Sequence, residues 1–135
     1  MNRIVFTNGC FDIIHPGHID LLQKASCLGH HLIVGLNSDL SVSRIKPGRL
    51  INDQYFRKTV LQNIKGVDEV IIFNEDTPIN LIKAIKPDVL VKGGDWPLDQ
   101  IVGYEFVESY GGAVFSLPLL TGFSTTSIIE KMRVS

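Results

Sequence analysis

Two histidines separated by a proline and a glycine, His15-Pro16-Gly17-His18, stand where a short apolar run gives way to a helical pattern. Pro16 suits the first position of a helix and keeps His15 out of helical geometry, so His15 is expected at the N-cap and His18 one turn further in. Both imidazoles then flank a helix N-terminus, whose free backbone N–H groups attract phosphate. Within the run from Thr7 to His18, Gly9 and Gly17 let a bulky ligand approach the backbone. Fixed donors of this kind suit attack on a phosphorus atom, where negative charge builds on the equatorial oxygens and on the leaving group. Two incidental histidines, one capping a helix, are the plainer alternative. Their joint position at a strand-to-helix turn favours the phosphate reading.

Three further features bear on the same chemistry. Ser124-Thr125-Thr126 supplies consecutive hydroxyls at an expected helix start, more than one N-cap needs, and suits a polyphosphate tail. Arg57 falls on the apolar stripe of a helix with Val60, Leu61 and Ile64. A cation there must meet water, an acidic partner or a ligand phosphate, and spacing alone leaves ligand and snorkelling readings equal. Lys92-Gly93-Gly94-Asp95-Trp96 follows an expected strand. Its glycines permit close ligand approach, Asp95 could contact a sugar hydroxyl, a metal or a basic side chain, and Trp96 could wall a pocket or pack in the core.

The elements that must position these groups alternate along the chain. Ile4-Val5-Phe6, Leu32 to Leu36, Val70 to Phe73, Val89-Leu90-Val91 and Ala113-Val114-Phe115 read as buried strands. Helices are expected over Pro16–Leu28, Asp53–Lys65, Thr77–Ile85 and Leu98–Tyr110, with a last one from Ser124. Glu75-Asp76 is expected at a helix start, and His30 and His31 at the surface. Five strands alternating with helices predict an α/β fold with a doubly wound parallel sheet, whose ligands bind at the carboxyl ends of the strands. The stretch from Asn37 to Asn52 reads as irregular. With Arg44, Lys46, Gly48 and Arg49 it suggests a mobile basic loop beside an anionic ligand.

The 135 residues fit one domain, taken as 1–135. A net charge of −1 with scattered Lys and Arg gives no basic block for nucleic acid or an anionic membrane. No stretch approaches the length of a membrane span, and the N-terminal apolar run is too short for a signal peptide. Cys10 and Cys27 match no zinc spacing and read as reduced thiols of a cytoplasmic protein.

Taken together, these residues resemble the cytidylyltransferase-like nucleotidyltransferase superfamily, whose signature GxFDxxHxGH corresponds to Gly9 to His18. Thr7-Asn8-Gly9, Leu36 to Asp39, Val67-Asp68, Glu75-Asp76-Thr77-Pro78, Lys86-Pro87-Asp88, Val91 to Asp95 and Ser124 to Ile129 are most similar to the branch that adenylylates D-glycero-D-manno-heptose 1-phosphate. The resemblance implies a Rossmann-like five-stranded sheet, transfer of AMP from ATP to a sugar 1-phosphate, Mg²⁺ with the ATP, and a homodimer. It implies catalytic roles for His15, His18, Lys46 and Arg57. The nucleotide-binding candidates are Thr7, Asn8, Gly9, Cys10, Phe11, Gly17, Gly94, Asp95, Ser124, Thr125 and Thr126. The acceptor candidates are Asp12, Lys92 and Trp96, and no direct protein ligand to a metal is expected.

The loop from Arg44 to Asn52 is shorter than in many heptose enzymes. Glycerol-3-phosphate cytidylyltransferases, the nearest rival, share Gly94-Asp95-Trp96 but carry an arginine shortly before the Ser-Thr-Thr run. This chain has Leu119-Leu120-Thr121-Gly122-Phe123 there. A non-catalytic nucleotide-binding module is a further alternative, since fold alone does not give activity. A fragment of a class I tRNA synthetase would need a KMSKS-like loop and a tRNA-binding domain, and neither is evident. The start at Met1 favours a stand-alone transferase over an excised domain.

Overall fold

The computed structural model describes residues 2–48 and 50–119. Five strands, β1 (Ile4–Gly9), β2 (His31–Asn37), β3 (Glu69–Phe73), β4 (Val89–Gly93) and β5 (Ala113–Leu117), form one parallel sheet in the order β3-β2-β1-β4-β5. The helices are α1 (Pro16–Ser26), α2 (Asp39–Ile45), α3 (Gln54–Gln62), α4 (Ile79–Ile85) and α5 (Tyr104–Ser109), with a 3₁₀ turn at Leu98–Gln100. This is the doubly wound, Rossmann-like α/β architecture that the alternation predicted.

Both faces of the sheet are dry, and the strands divide their side chains between them. Val5, Leu32, Val34, Val89 and Val91 join Leu21, Leu22 and Ala25 of α1 and Leu61 of α3 in one core. Phe6, Ile33, Leu90 and Val114 join Ile82 of α4 and Val107 of α5 in the other. Neighbours in sequence thus point to opposite cores, the period-2 consequence of a pleated strand covered twice. The chain leaves β1 towards β2 and β3, then returns to β4 and β5 on the other side. The carboxyl ends of β1 and β4 therefore lie side by side at the point where the winding reverses.

The strands extend further than their apolar runs. β1 continues through Thr7, Asn8 and Gly9 because its ladder with β2 continues, pairing Asn8 with Gly35 and Gly9 with Leu36. Two expectations are corrected. The stretch after β2 is not wholly irregular: Ser38 accepts the N–H of Ser41, Asp39 favours the first turn, and α2 forms over Asp39–Ile45. The helix expected over Leu98–Tyr110 is broken, because Gly103 adopts φ 94°. A Cβ there would meet Ile82 at 2.9 Å, so this left-handed residue lets the chain pass over α4 and restart as α5. The helix expected from Ser124 lies outside the described residues.

Candidate active site

The turn from β1 into α1 builds the centre of the site. His15 is the N-cap of α1, and its Nδ1 accepts the backbone N–H of Gly17 at 3.1 Å. His18 at the third helical position reaches back, its Nδ1 accepting the N–H of His15 at 3.4 Å, so the two histidines form a reciprocal capping box. Their rings stack with centroids 3.8 Å apart, and Phe11 packs edge-on against His18 at 5.2 Å. Phe11 has φ 46°, a left-handed conformation that turns the chain sharply after Cys10.

Both imidazoles are poised neutral. Burial lowers the pKa of His15. Burial, then His15, then Lys46 push His18 down to about 4, against an opposing hydrogen bond at the Ile13 backbone. A neutral His15 that accepts at Nδ1 carries its proton on Nε2, which makes that nitrogen a donor.

Two connected lobes open at the carboxyl edge of the sheet. One is lined by Phe11, Asp12, His18, Leu21, Val42, Leu50 and Leu119. The other is lined by Asn37, Asp76, Thr77, Pro78, Trp96 and Gln100 to Val102. Asn8, Gly9, Cys10, Lys46 and Lys92 line both lobes. Two lysines therefore stand at the junction, one at the C-cap of α2 and one near the end of β4. Burial lowers the pKa of Lys92, Cys10 opposes this, and Lys46 adds to the lowering. A positive junction matches a polyanion that runs from one lobe to the other.

The remaining candidates have more varied surroundings. Trp96 walls the second lobe, with its indole N–H on the Gly93 carbonyl at 3.2 Å and Lys92 over its ring at 5.7 Å. Gly94 takes φ 112°, and a Cβ there would strike Trp96 at 2.8 Å, so this glycine is what admits the indole. Asp95 is exposed and lines neither lobe. Gly17 is buried inside the first turn of α1. Thr7 is fully buried within β1 and lines neither lobe, so its side chain lies beneath the site rather than against a ligand. Arg49, Ser124, Thr125 and Thr126 lie outside the described residues.

Asp12 and Arg57 depart most from the sequence reading. Asp12 lines the first lobe, but its Oδ2 and Oδ1 accept the backbone N–H groups of Ile51 and Asn52 at 2.9 and 2.8 Å. Arg57 is only 1% exposed and lines neither lobe. Its guanidinium donates to the carbonyls of Asn52, Cys10 and Asn37 and to Asp39. Its donors are directed at protein oxygens rather than into the cleft. Arg44, on the basic stretch, is likewise engaged, pairing with Asp76 at 2.7 Å and donating to the Asn74 carbonyl. Asp76 thus serves that ion pair, while Pro78 caps α4.

Sequence reasoning missed Thr77 and the segment Gln100 to Val102 as cleft walls. Both follow the carboxyl ends of strands, β3 and β4, and Thr77 also belongs to the Glu75 to Pro78 run of the family resemblance. Among the described residues, no cluster of three or more His, Cys, Asp or Glu side chains could hold a metal ion. No described helix is long and apolar enough to cross a membrane.

Known proteins resemble this chain over most of its length. The chain is 55% identical over 134 residues to the bifunctional protein HldE of Pseudomonas fluorescens, covering 98% of this chain and 28% of that protein. The HldE protein of Nitrobacter hamburgensis is 55% identical over 130 residues, covering 96% of this chain and 27% of that one. The chain thus spans little more than a quarter of the length of these relatives. Among solved structures, a lipopolysaccharide core biosynthesis protein from Thermoplasma volcanium superposes with a TM-score of 0.72 at 28% identity, covering 89% of this chain and 98% of that one. Residues 6–131, which span the histidine turn and both lysines of the cleft, match the cytidylyltransferase-like family, and the chain belongs to that family.

Proposed function

We propose that this chain is a single nucleotidyltransferase domain that transfers AMP from ATP to a sugar 1-phosphate, with D-glycero-D-manno-heptose 1-phosphate as the acceptor. An acceptor phosphate oxygen attacks the α-phosphorus, the bond from that phosphorus to the β-bridging oxygen breaks, and pyrophosphate leaves with the electron pair. The observation that carries this reading is His18 in the wall of the first lobe, stacked on the buried N-cap His15, in a cleft whose junction holds Lys46 and Lys92. Neutral donors and fixed ammonium groups stabilise charge that grows on the transferring phosphoryl group without first having to reorganise.

On this reading the triphosphate occupies the histidine lobe and the acceptor the Trp96 lobe, with Lys46 and Lys92 shared between them. Asn8, Gly9, Cys10 and Phe11 border the phosphates, and Ser124, Thr125 and Thr126 hold the tail. Mg²⁺ arrives as part of the Mg·ATP substrate, bound by phosphate oxygens. The donor set fits this, since the charged groups at the lobe junction are cations and the Asp12 carboxylate oxygens are already engaged. The heptose acceptor is supported by Glu75 to Pro78 and Lys92 to Asp95, and by the identity to the HldE proteins. A cytoplasmic homodimer completes the proposal, its stoichiometry open to light scattering.

The deciding experiment is a pyrophosphate-release panel that tests ATP and CTP against heptose 1-phosphate and glycerol 3-phosphate. A higher kcat/KM for ATP with heptose 1-phosphate is expected. A higher value for CTP with glycerol 3-phosphate would overturn the base and acceptor, and no release from any pair would overturn the transferase reading.

A further inference from the structure

We propose that Arg57 and Asp12 form a buried clamp that holds the Lys46 loop against the histidine turn, making Arg57 a positioning residue rather than a phosphate ligand. This inference rests on the nucleotidyltransferase reading. Four groups from three segments converge on one guanidinium. Arg57 Nη1 donates to the Cys10 carbonyl, just before the histidine turn, and to the Asn37 carbonyl at the end of β2, both at 2.7 Å. Nη2 meets Asp39 Oδ1 in the first turn of α2 at 2.8 Å, and Nε meets the Asn52 carbonyl at 3.0 Å.

Asn52 carries the connection onward. Its backbone N–H donates to Asp12 Oδ1 at 2.8 Å and its side-chain amide to the Asp12 carbonyl at 2.7 Å, while the N–H of Ile51 takes Asp12 Oδ2. The Lys46 stretch is thereby fixed at both ends. Asp39, at the start of the helix that Lys46 caps, is held by Arg57, and residues 51 and 52 are held by Asp12. Asp12 itself lies three residues before His15, so the clamp sets the distance between the histidines and the lysine.

An ordinary salt bridge does not account for this geometry. A buried guanidinium offers a rigid planar fork that reaches several carbonyls at once, and a lysine in the same position has a single flexible ammonium. Arg57→Lys keeps the charge and loses the fork. Small misplacements of catalytic groups are costly in rate while leaving ground-state binding largely intact.

The test compares wild type, Lys46→Ala, Arg57→Lys and the double variant. Two readouts are used: steady-state kinetics with Mg·ATP and heptose 1-phosphate, and amide hydrogen exchange at Ile51 and Asn52. The expected result is a fall in kcat of about tenfold or more for Arg57→Lys, with KM for ATP within about threefold of wild type. Exchange at Ile51 and Asn52 is expected to accelerate. The double variant should lie within about twofold of Lys46→Ala, because the clamp acts through that lysine. Additive losses, or a rise in KM for ATP of about tenfold at unchanged kcat, would overturn the clamp in favour of direct phosphate contact. A lowered melting temperature with unchanged kcat and exchange would overturn it in favour of a scaffold role.

If Arg57→Lys does not fold, Asp39→Asn takes its place, since that side chain is 41% exposed and the change is isosteric. Unaltered kcat and exchange in Asp39→Asn would equally overturn the proposal. Wild type that releases no pyrophosphate would sink the transferase reading, and the exchange measurements would then decide the clamp by themselves.

Discussion

The imidazole rings of His15 and His18 lie stacked, with centroids 3.8 Å apart and planes inclined by 26°. Two imidazolium ions could not share that spacing in a half-dry turn without strong repulsion. The stack therefore favours the neutral pair, in agreement with the downward shifts that burial imposes on both. Both histidines also cap the first turn of α1, so the proposed catalytic role and a structural role fall on the same two rings.

That overlap separates the two alanine variants. His18→Ala and His15→Ala are each expected to lower kcat by about a hundredfold or more. His15→Ala should in addition cost about 1 kcal/mol of stability, because the buried N-cap acceptor for Gly17 is lost. Unfolding curves beside turnover rates check this, and unchanged turnover in both variants would remove the assigned role.

Acid should weaken the fold through the same residues. The pKa of His18 is about 4 in the folded chain against an ordinary 6.5, so between those values the unfolded chain binds more protons. Its contribution is fully present above the ordinary value and is lost as pH falls towards the folded one. His18→Gln retains an acceptor for the capping box but does not titrate. The difference in stability between pH about 7 and pH about 5 should therefore be smaller in His18→Gln than in wild type. Equal differences would contradict a buried neutral His18.

Lys92 and Trp96 should separate in kinetics. Lys92 lines both lobes, so Lys92→Met is expected to raise KM for ATP and for the acceptor alike, each by about tenfold. Trp96 lines only the second lobe, so Trp96→Ala should raise KM for the acceptor and leave that for ATP near wild type. A larger effect of Trp96→Ala on ATP would reverse the proposed occupancy of the lobes.

Removal of divalent metal with a chelator should abolish pyrophosphate release, and Mg²⁺ should restore it, since the triphosphate carries more charge than two lysines neutralise. Thr125→Ala should weaken ATP more than the sugar phosphate. Activity that survives chelation, or an equal effect of Thr125→Ala on both substrates, would count against the proposed phosphate handling.

Local rules were enough for much of this protein. Pro16 after His15 determined the N-cap, the apolar runs determined five buried strands, and their alternation with helices determined the doubly wound sheet. The strand ends were less legible, because Thr7, Asn8 and Gly9 look like loop residues until the neighbouring strand's ladder keeps them extended. Gly103 was unreadable for a similar reason: its left-handed turn answers the side chain of Ile82, twenty-one residues away. Arg57 is the sharpest case. Its position on an apolar helical stripe announced a buried cation needing partners, but four of those partners come from Cys10, Asn37, Asp39 and Asn52. Only folding brings those segments together, so sequence determined that the charge must be satisfied, and tertiary structure decided that protein carbonyls and a carboxylate, rather than the cleft, would satisfy it.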